Sequence, residues 1–120
     1  VQDKQLVRGD SIQLEQVLIN LITNAIHAIA ERGNGVVDIS TEQDQEHIII
    51  HVDDNGPGIE QTHLDKIFDP FFTTRKSGLG LGLSISARII DSMQGILSAS
   101  NRQQGGARFT ITLPRAAELV

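Results

Sequence analysis

At 120 residues the chain has room for one domain with one core. Ten Lys and Arg against 15 Asp and Glu give a formal net charge of -5, and no basic run with interleaved aromatics is present, which argues against nucleic acid as the main partner. The absence of Cys excludes disulfides and Cys–zinc sites and fits a reducing compartment, and neither a signal peptide nor an apolar stretch near the ~20 residues needed to span a bilayer is visible.

In chain order, Val1 stands where a Met would open a complete protein, so the chain reads as an excised piece of something longer. Gln5 to Val7 reads as a short edge strand, and Asp10 or Ser11 as a helix N-cap. From there to about Arg32, Leu14, Val17, Leu18, Leu21, Ile22, Ala25 and Ile29 recur at helical spacing and form a core face. Gly33 and Gly35 stop that helix. The runs Val36 to Thr41 and His47 to Asp53, separated by a polar turn, read as an antiparallel hairpin. Asp54 to Gly58 is a loop, because Asn-Gly and Pro-Gly break regular structure. Gln61 to Ile67 suits one or two helical turns, and polar, glycine-rich Thr73 to Gly80 reads as a mobile lid. A second helix runs from Leu83 to Gln94 and ends at Gly95. Strands Ile96 to Ser100 and Ala107 to Leu113 flank a turn at Asn101 to Gly106, and Pro114 ends the last strand. This order predicts a single α/β domain over residues 1–120. It is a two-layer sandwich whose mixed, mainly antiparallel sheet is covered on one face by the helices. With four Phe and no Tyr or Trp, its core is mostly aliphatic.

Four segments carry candidate chemistry. Gly78-Leu79-Gly80-Leu81-Gly82-Leu83 runs directly into the second helix, where glycines let unpaired backbone N–H groups approach an anion. It has neither the Gly-Lys-Ser/Thr ending of a Walker A loop nor the spacing of a dinucleotide fingerprint. On the first helix, Gln16, Asn20 and Asn24 stand four apart on one face, with His27 three further on. An amide oxygen is a hard neutral ligand that suits Mg²⁺, and its NH₂ can donate to phosphate; a solvated helix face is the other reading. Asp54-Asn55-Gly56-Pro57-Gly58-Ile59 follows a strand. Asp54 is placed to accept from an exocyclic amine, with Gly56 and Gly58 letting a planar ring approach; an ordinary Asx turn is the alternative. Asp53 faces the other way along the strand and reads as a bystander. In Phe68-Asp69-Pro70-Phe71-Phe72-Thr73-Thr74-Arg75-Lys76, the rings read as a core plug and Arg75 and Lys76 as phosphate cations or a solvated basic pair. His47 and His51 are four apart, but on a strand that is about 13 Å, too far for one metal ion.

Together these segments resemble, in order, the N, G1, F, G2 and G3 boxes of the histidine-kinase catalytic domain. That domain is part of the ATPase superfamily that includes DNA gyrase B, heat-shock chaperone and mismatch-repair ATPases. Leu14 to Ala28 resembles the N box, Asp54 to Ile59 G1, Phe68 to Thr74 F, Gly78 to Ser84 G2 and Gly105 to Thr110 G3. The F box, short lid and Gly-Leu string are similar to those of C4-dicarboxylate-type sensor kinases. The resemblance implies a Bergerat-type sandwich binding ATP with Mg²⁺. By it, Asn24 is the Mg²⁺ ligand and Asn20, near the phosphates, is the second catalytic residue. Asp54 binds the adenine amine, with Gly56, Gly58 and Ile59 beside the ring. Phe72, Arg75, Lys76, Gly78, Leu79, Gly80, Leu81, Gly82 and Leu83 contact the nucleotide from the lid and second helix, and His27 lies near phosphate. Hydrolysing relatives such as gyrase carry a water-activating Glu where this chain has Asn20. An amide is no general base at neutral pH, so the resemblance implies phosphoryl transfer rather than hydrolysis.

Three positions depart from the pattern: His27 replaces a phosphate-reaching Lys, Ala28 an adenine-stacking aromatic, and Ala107 a Thr of G3, which implies modest ATP affinity. Family acceptors are a His followed by an acidic residue on a dimerising helical hairpin. His27, His47, His51 and His63 are followed by Ala, Ile, Val and Leu, so the acceptor is expected before Val1. The implied partners are that dimerisation domain of the parent homodimer and a response regulator. The implied location is a cytoplasmic domain, without membrane contact of its own, of a protein anchored in the bacterial inner membrane. The competing expectations are an ATPase or regulatory nucleotide-binding module of the same superfamily, and an interaction domain without a ligand.

Overall fold

The computed structural model describes residues 10–30, 33–69 and 82–115, apart from the side chain of Asp10. Helix α1 spans Asp10–Ala28, strand β1 Val37–Gln43, strand β2 His47–Asp54, helix α2 Gly82–Ser92, strand β3 Ile96–Asn101 and strand β4 Ala107–Pro114. A single 3-10 turn at Gln61–His63 stands where one or two helical turns were expected. The four strands form one sheet in the order β1-β2-β4-β3, and all three pairings are antiparallel. The expected edge strand at Gln5 to Val7 and the lid at Thr73 to Gly80 lie outside the described residues.

The core follows from period-two and period-3.6 patterning meeting face to face. Ile48, Ile50 and Val52 of β2 and Ala107, Phe109, Ile111 and Leu113 of β4 pack in one cluster with Leu14, Val17, Leu21 and Ala25 of α1 and Ile90 of α2. Phe68 is partly buried and meets Phe109 edge-on, with ring centroids 6.3 Å apart and planes at 88°, so this ring does plug the core. Phe71 and Phe72 lie outside the described residues.

Both helices end earlier than the apolar pattern suggested. The Ala30 N–H bonds to the His27 carbonyl, three residues back, which tightens and closes the last turn of α1. The chain then folds back so closely that a Cβ on Gly35 would lie 2.7 Å from the Ile29 side chain. Helix α2 ends in a Schellman motif, with Gly95 N–H bonded to Ile90 O and Gln94 N–H to Asp91 O. The left-handed residue there is Gln94, at φ 64°, and not the glycine beside it. Gly95 is needed instead for space, because its Cβ would run into the Thr112 carbonyl oxygen on β4. At the β1–β2 turn the Asp44 carboxylate accepts the N–H groups of Glu46 (2.8 Å) and His47 (2.7 Å). Those two donors hold its pKa below the usual carboxylate value.

Candidate functional site

The residues singled out on α1 lie along its border with α2. Asn20 donates through Nδ2 to Ser86 Oγ at 3.1 Å, a bond from one helix to the other. Ser86 is fully buried, on the same face of α2 as Ile90. With its NH₂ engaged, Asn20 turns its Oδ1 elsewhere, and the only described donor near that oxygen is Gln16 Nε2, at 3.5 Å. Asn24, one turn on, is half-buried, and His27 is exposed in the last turn. The next residue, Ala28, joins the helix to the glycine loop: a Cβ on Gly56 would lie 2.7 Å from the Ala28 carbonyl oxygen. Any side chain at 56 would push the loop off the helix end.

Asp54, the last residue of β2, is 2% exposed on the helix side of the sheet. Its Oδ1 accepts the N–H of Gly56 at 2.8 Å and of Ala107 at 3.3 Å. Arg102 Nη1 donates to its main-chain carbonyl at 2.9 Å. Oδ2 receives no hydrogen bond from the described residues, so one carboxylate oxygen is anchored and the other is left for a donor. The loop beyond is fastened at several points. Asn55 Oδ1 accepts Val36 N–H at 2.8 Å, and its Nδ2 donates to Asn34 O at 3.0 Å. Asn101 Oδ1 accepts Ile59 N–H at 2.7 Å, while its Nδ2 donates to Ile59 O at 2.8 Å. Gly58 lies between them at φ 83°, and Gly106, at φ 90°, leaves no room for a Cβ against the Asp54 carbonyl.

The structure thus brings Asn20, Asn24, Ala28, Asp54, Gly56, Gly58 and Ile59 into one continuous tract from the helix pair to the G1 loop. Gly82 and Leu83 open α2. Phe72, Arg75, Lys76, Gly78, Leu79, Gly80 and Leu81 lie outside the described residues. Asp53 is on the opposite sheet face, where Arg108 binds both its oxygens, at 2.8 and 2.9 Å, and holds its pKa below the usual carboxylate value. His51 is also on that face, 8% exposed, with Nδ1 3.1 Å from Thr110 Oγ1 and Nε2 2.7 Å from Glu42 Oε2. A groove of about 620 Å³ lined by Phe68, Ser84, Ile85, Arg88, Asp91 and Ile96 shares none of the site residues.

Sequence reading missed Ser86, Asn101 and Arg102. Ser86 had a signal: it interrupts the i, i+3, i+7 run Leu83, Ser86, Ile90 on the buried stripe of α2, where a hydroxyl needs a partner. Asn101 and Arg102 had none, because a polar pair after a strand is ordinary turn chemistry.

Residues 9–117 match the family model described as Histidine kinase-, DNA gyrase B-, and HSP90-like ATPase. Sporulation kinase A of Bacillus subtilis is 37% identical over 95% of this chain and 18% of its own length. The signal transduction histidine-protein kinase AtoS of Escherichia coli is 43% identical over 90% of this chain, again 18% of its own length. This chain therefore spans under a fifth of either relative. The catalytic domain of histidine kinase ThkA, in a nucleotide-free form, superposes with a TM-score of 0.78 at 40% identity, covering 87% of this chain and 67% of that one. Full-length ShkA in complex with AMPPNP gives a TM-score of 0.74 at 28% identity, covering 87% of this chain and 22% of that one.

Proposed function

Because the chain belongs to the family of histidine kinase-, DNA gyrase B- and HSP90-like ATPases, we propose that it binds ATP with Mg²⁺ and is the catalytic domain of a two-component sensor histidine kinase. The observation that carries the nucleotide reading is Asp54: a carboxylate 2% exposed, with one oxygen held by two backbone N–H groups and the other open to a donor such as the adenine amine. A buried carboxylate beside two glycines that admit no Cβ fits a flat base better than it fits an interaction surface.

The phosphate end of the tract is built from amides. Mg²⁺ is held by one or two protein oxygens, with phosphate oxygens and water for the rest. Asn24 Oδ1 fits that role, and Asn20, with its NH₂ fixed on Ser86, has acceptor capacity on its oxygen beyond the 3.5 Å bond from Gln16 Nε2. Mg²⁺ would supply charge neutralisation on the phosphates. With Asn20 in place of a water-activating Glu, the site orients ATP for an incoming nucleophile instead of splitting it with water. In the transfer, the bond from the γ-phosphorus to the β,γ-bridging oxygen breaks, a phosphorus–nitrogen bond to an imidazole forms, and ADP leaves. His51 is clamped by Thr110 and Glu42 on the far face, which supports an acceptor outside this chain. That acceptor belongs to the parent's dimerisation domain, and a response regulator receives the phosphoryl group from it. No helix among the described residues is long and apolar enough to cross a membrane. A cytoplasmic domain of a homodimeric, membrane-anchored parent is part of the same proposal.

Calorimetric titration with AMPPNP and Mg²⁺ tests the reading. Saturable binding that is lost in Asp54→Asn supports it, and no binding by the wild-type chain overturns it. Labelling of an added dimerisation domain with ATP then separates a kinase from an ATPase. Steady ATP hydrolysis without acceptor labelling would favour the ATPase.

A further inference from the structure

We propose that Asn101 is a positioning residue for base recognition: its side-chain amide sets the G1 loop at Ile59 so that the adenine-facing backbone is preformed. The inference rests on the nucleotide reading above and adds to it a residue that lies outside the loop and outside every segment assigned to the site.

The amide makes both hydrogen bonds that a neighbouring strand would make. Oδ1 accepts Ile59 N–H at 2.7 Å and Nδ2 donates to Ile59 O at 2.8 Å. Only one orientation of the amide satisfies both, so the pair of bonds also fixes which atom is which. Asn101 therefore continues β3 by one pseudo-residue and docks the loop on it. Its main chain is in register with Ala107 on β4, whose N–H holds Asp54 Oδ1. Arg102, next along, reaches the Asp54 carbonyl. The two ends of the G1 loop, Asp54 and Ile59, are thus both referenced to the start of the β3–β4 turn. Gly58, at φ 83°, packs so close that its Cβ would lie 2.8 Å from Asn101 Oδ1. The loop has room for the amide and for little else.

Asn101 itself is exposed. Removing its side chain opens no cavity, and water can reach the freed Ile59 groups, so the fold loses little. What is lost is the single loop geometry. If the competent geometry becomes a fraction of the population, apparent affinity falls by that fraction. Discrimination between bases falls with it, because a loop that is no longer fixed rejects a wrong base less strictly.

The test titrates the wild-type chain, Asn101→Ala and Asn101→Asp with AMPPNP and with GMPPNP, each with Mg²⁺, alongside thermal melts. Two modest hydrogen bonds predict AMPPNP binding about tenfold weaker in Asn101→Ala. The AMPPNP-to-GMPPNP preference should shrink by a similar factor while the melting temperature moves by only a few degrees. Asn101→Asp keeps the acceptor but sets a second oxygen against the Ile59 carbonyl, so it should behave like the Ala variant. Unchanged affinity and preference in Asn101→Ala overturns the inference while leaving the nucleotide reading intact. Equal weakening for both nucleotides with a matching fall in melting temperature also overturns it, since that marks a structural role alone. A wild-type chain that binds neither nucleotide overturns the nucleotide reading itself, and this inference with it.

Discussion

Asp53 and Asp54 are consecutive residues, both buried, on opposite faces of the same strand. Asp53 is met on the outer face by a guanidinium that donates to both its oxygens, so neither is without a partner. Asp54, on the helix face, is met by main-chain N–H groups that occupy one oxygen and leave the other available. The first is a closed pair and the second a half-used acceptor beside the glycine loop. Burial alone therefore marks neither as functional. The identity of the partner, side-chain cation against backbone amide, is what separates a paired carboxylate from one with an oxygen to spare. The same division holds around them: the outer face carries the His51–Glu42–Thr110 network, whereas the helix face carries Asn20, Asn24 and the glycine loop.

The largest effect expected from breaking this contrast is at Asp54. In Asp54→Asn the anchored oxygen is preserved, but the free oxygen becomes an NH₂ facing another donor. AMPPNP affinity should fall about 100-fold or more, by calorimetry, with the melting temperature nearly unchanged. Equal affinity in wild type and variant would show that Asp54 is as structural as Asp53.

The mirror change, Asp53→Asn, should do the reverse. It removes a charge-assisted bidentate pair whose cation is partly solvated, so the expected loss is about 1–2 kcal/mol of stability in denaturant titrations. AMPPNP affinity should stay within about twofold at a temperature where both proteins are folded. The pair also predicts acid behaviour. The folded-state pKa of Asp53 is depressed, chiefly by the Arg108 hydrogen bonds. Its contribution is therefore complete above the ordinary carboxylate value, about 3.9, and is lost as pH falls through the lower folded value. Wild type should lose stability more steeply than Asp53→Asn below about pH 4. Parallel curves would remove Asp53 from the stability account.

How much of this was legible beforehand divides along the same line. Alternation in β2 and β4 and the i, i+3, i+4 pattern in α1 depend on neighbours in sequence, and the layers, the two hairpins and the strand limits to within two residues followed from them, whereas the β2–β4 pairing that joins the hairpins did not. The Asx-type bond from Gly56 N–H to Asp54 Oδ1, the alternative reading of this loop, was legible because its two residues are close in the chain. The groups that hold the site in place were not, because their contacts cross 42 residues from Asn101 to Ile59 and 66 from Asn20 to Ser86. Helix ends were over-extended by two to four residues, because side-chain periodicity does not show where the backbone tightens: local bonds from Ala30 to His27 and from Gln94 to Asp91 close the two helices, and only the fit of Gly95 against Thr112 is long-range. Ser86→Ala tests the value of one such contact. The loss of one part-buried hydrogen bond should cost about 1 kcal/mol of stability. Acceptor labelling should slow several-fold, because Asn20 loses its fixed orientation. Unaltered labelling would make the Asn20–Ser86 bond a packing detail.

The smallest effect is expected on the outer face at Glu42. Its carboxylate lies 2.7 Å from His51 Nε2, the shortest side-chain contact on that face, and a buried histidine facing an acidic residue invites a functional reading. The geometry argues otherwise. Glu42 is 63% exposed, so water screens the pair and supplies a replacement partner as soon as the carboxylate moves. Thr110 meanwhile continues to hold the other ring nitrogen from within the sheet. Glu42→Gln keeps a group that can hydrogen-bond His51 while removing the charge, so stability should change by about 0.5 kcal/mol or less. AMPPNP affinity and acceptor labelling should be unchanged within error. A labelling rate that responds to this substitution would show that the outer face communicates with the helix face through β2, and the separation between Asp53 and Asp54 would then be one of distance only, not of function.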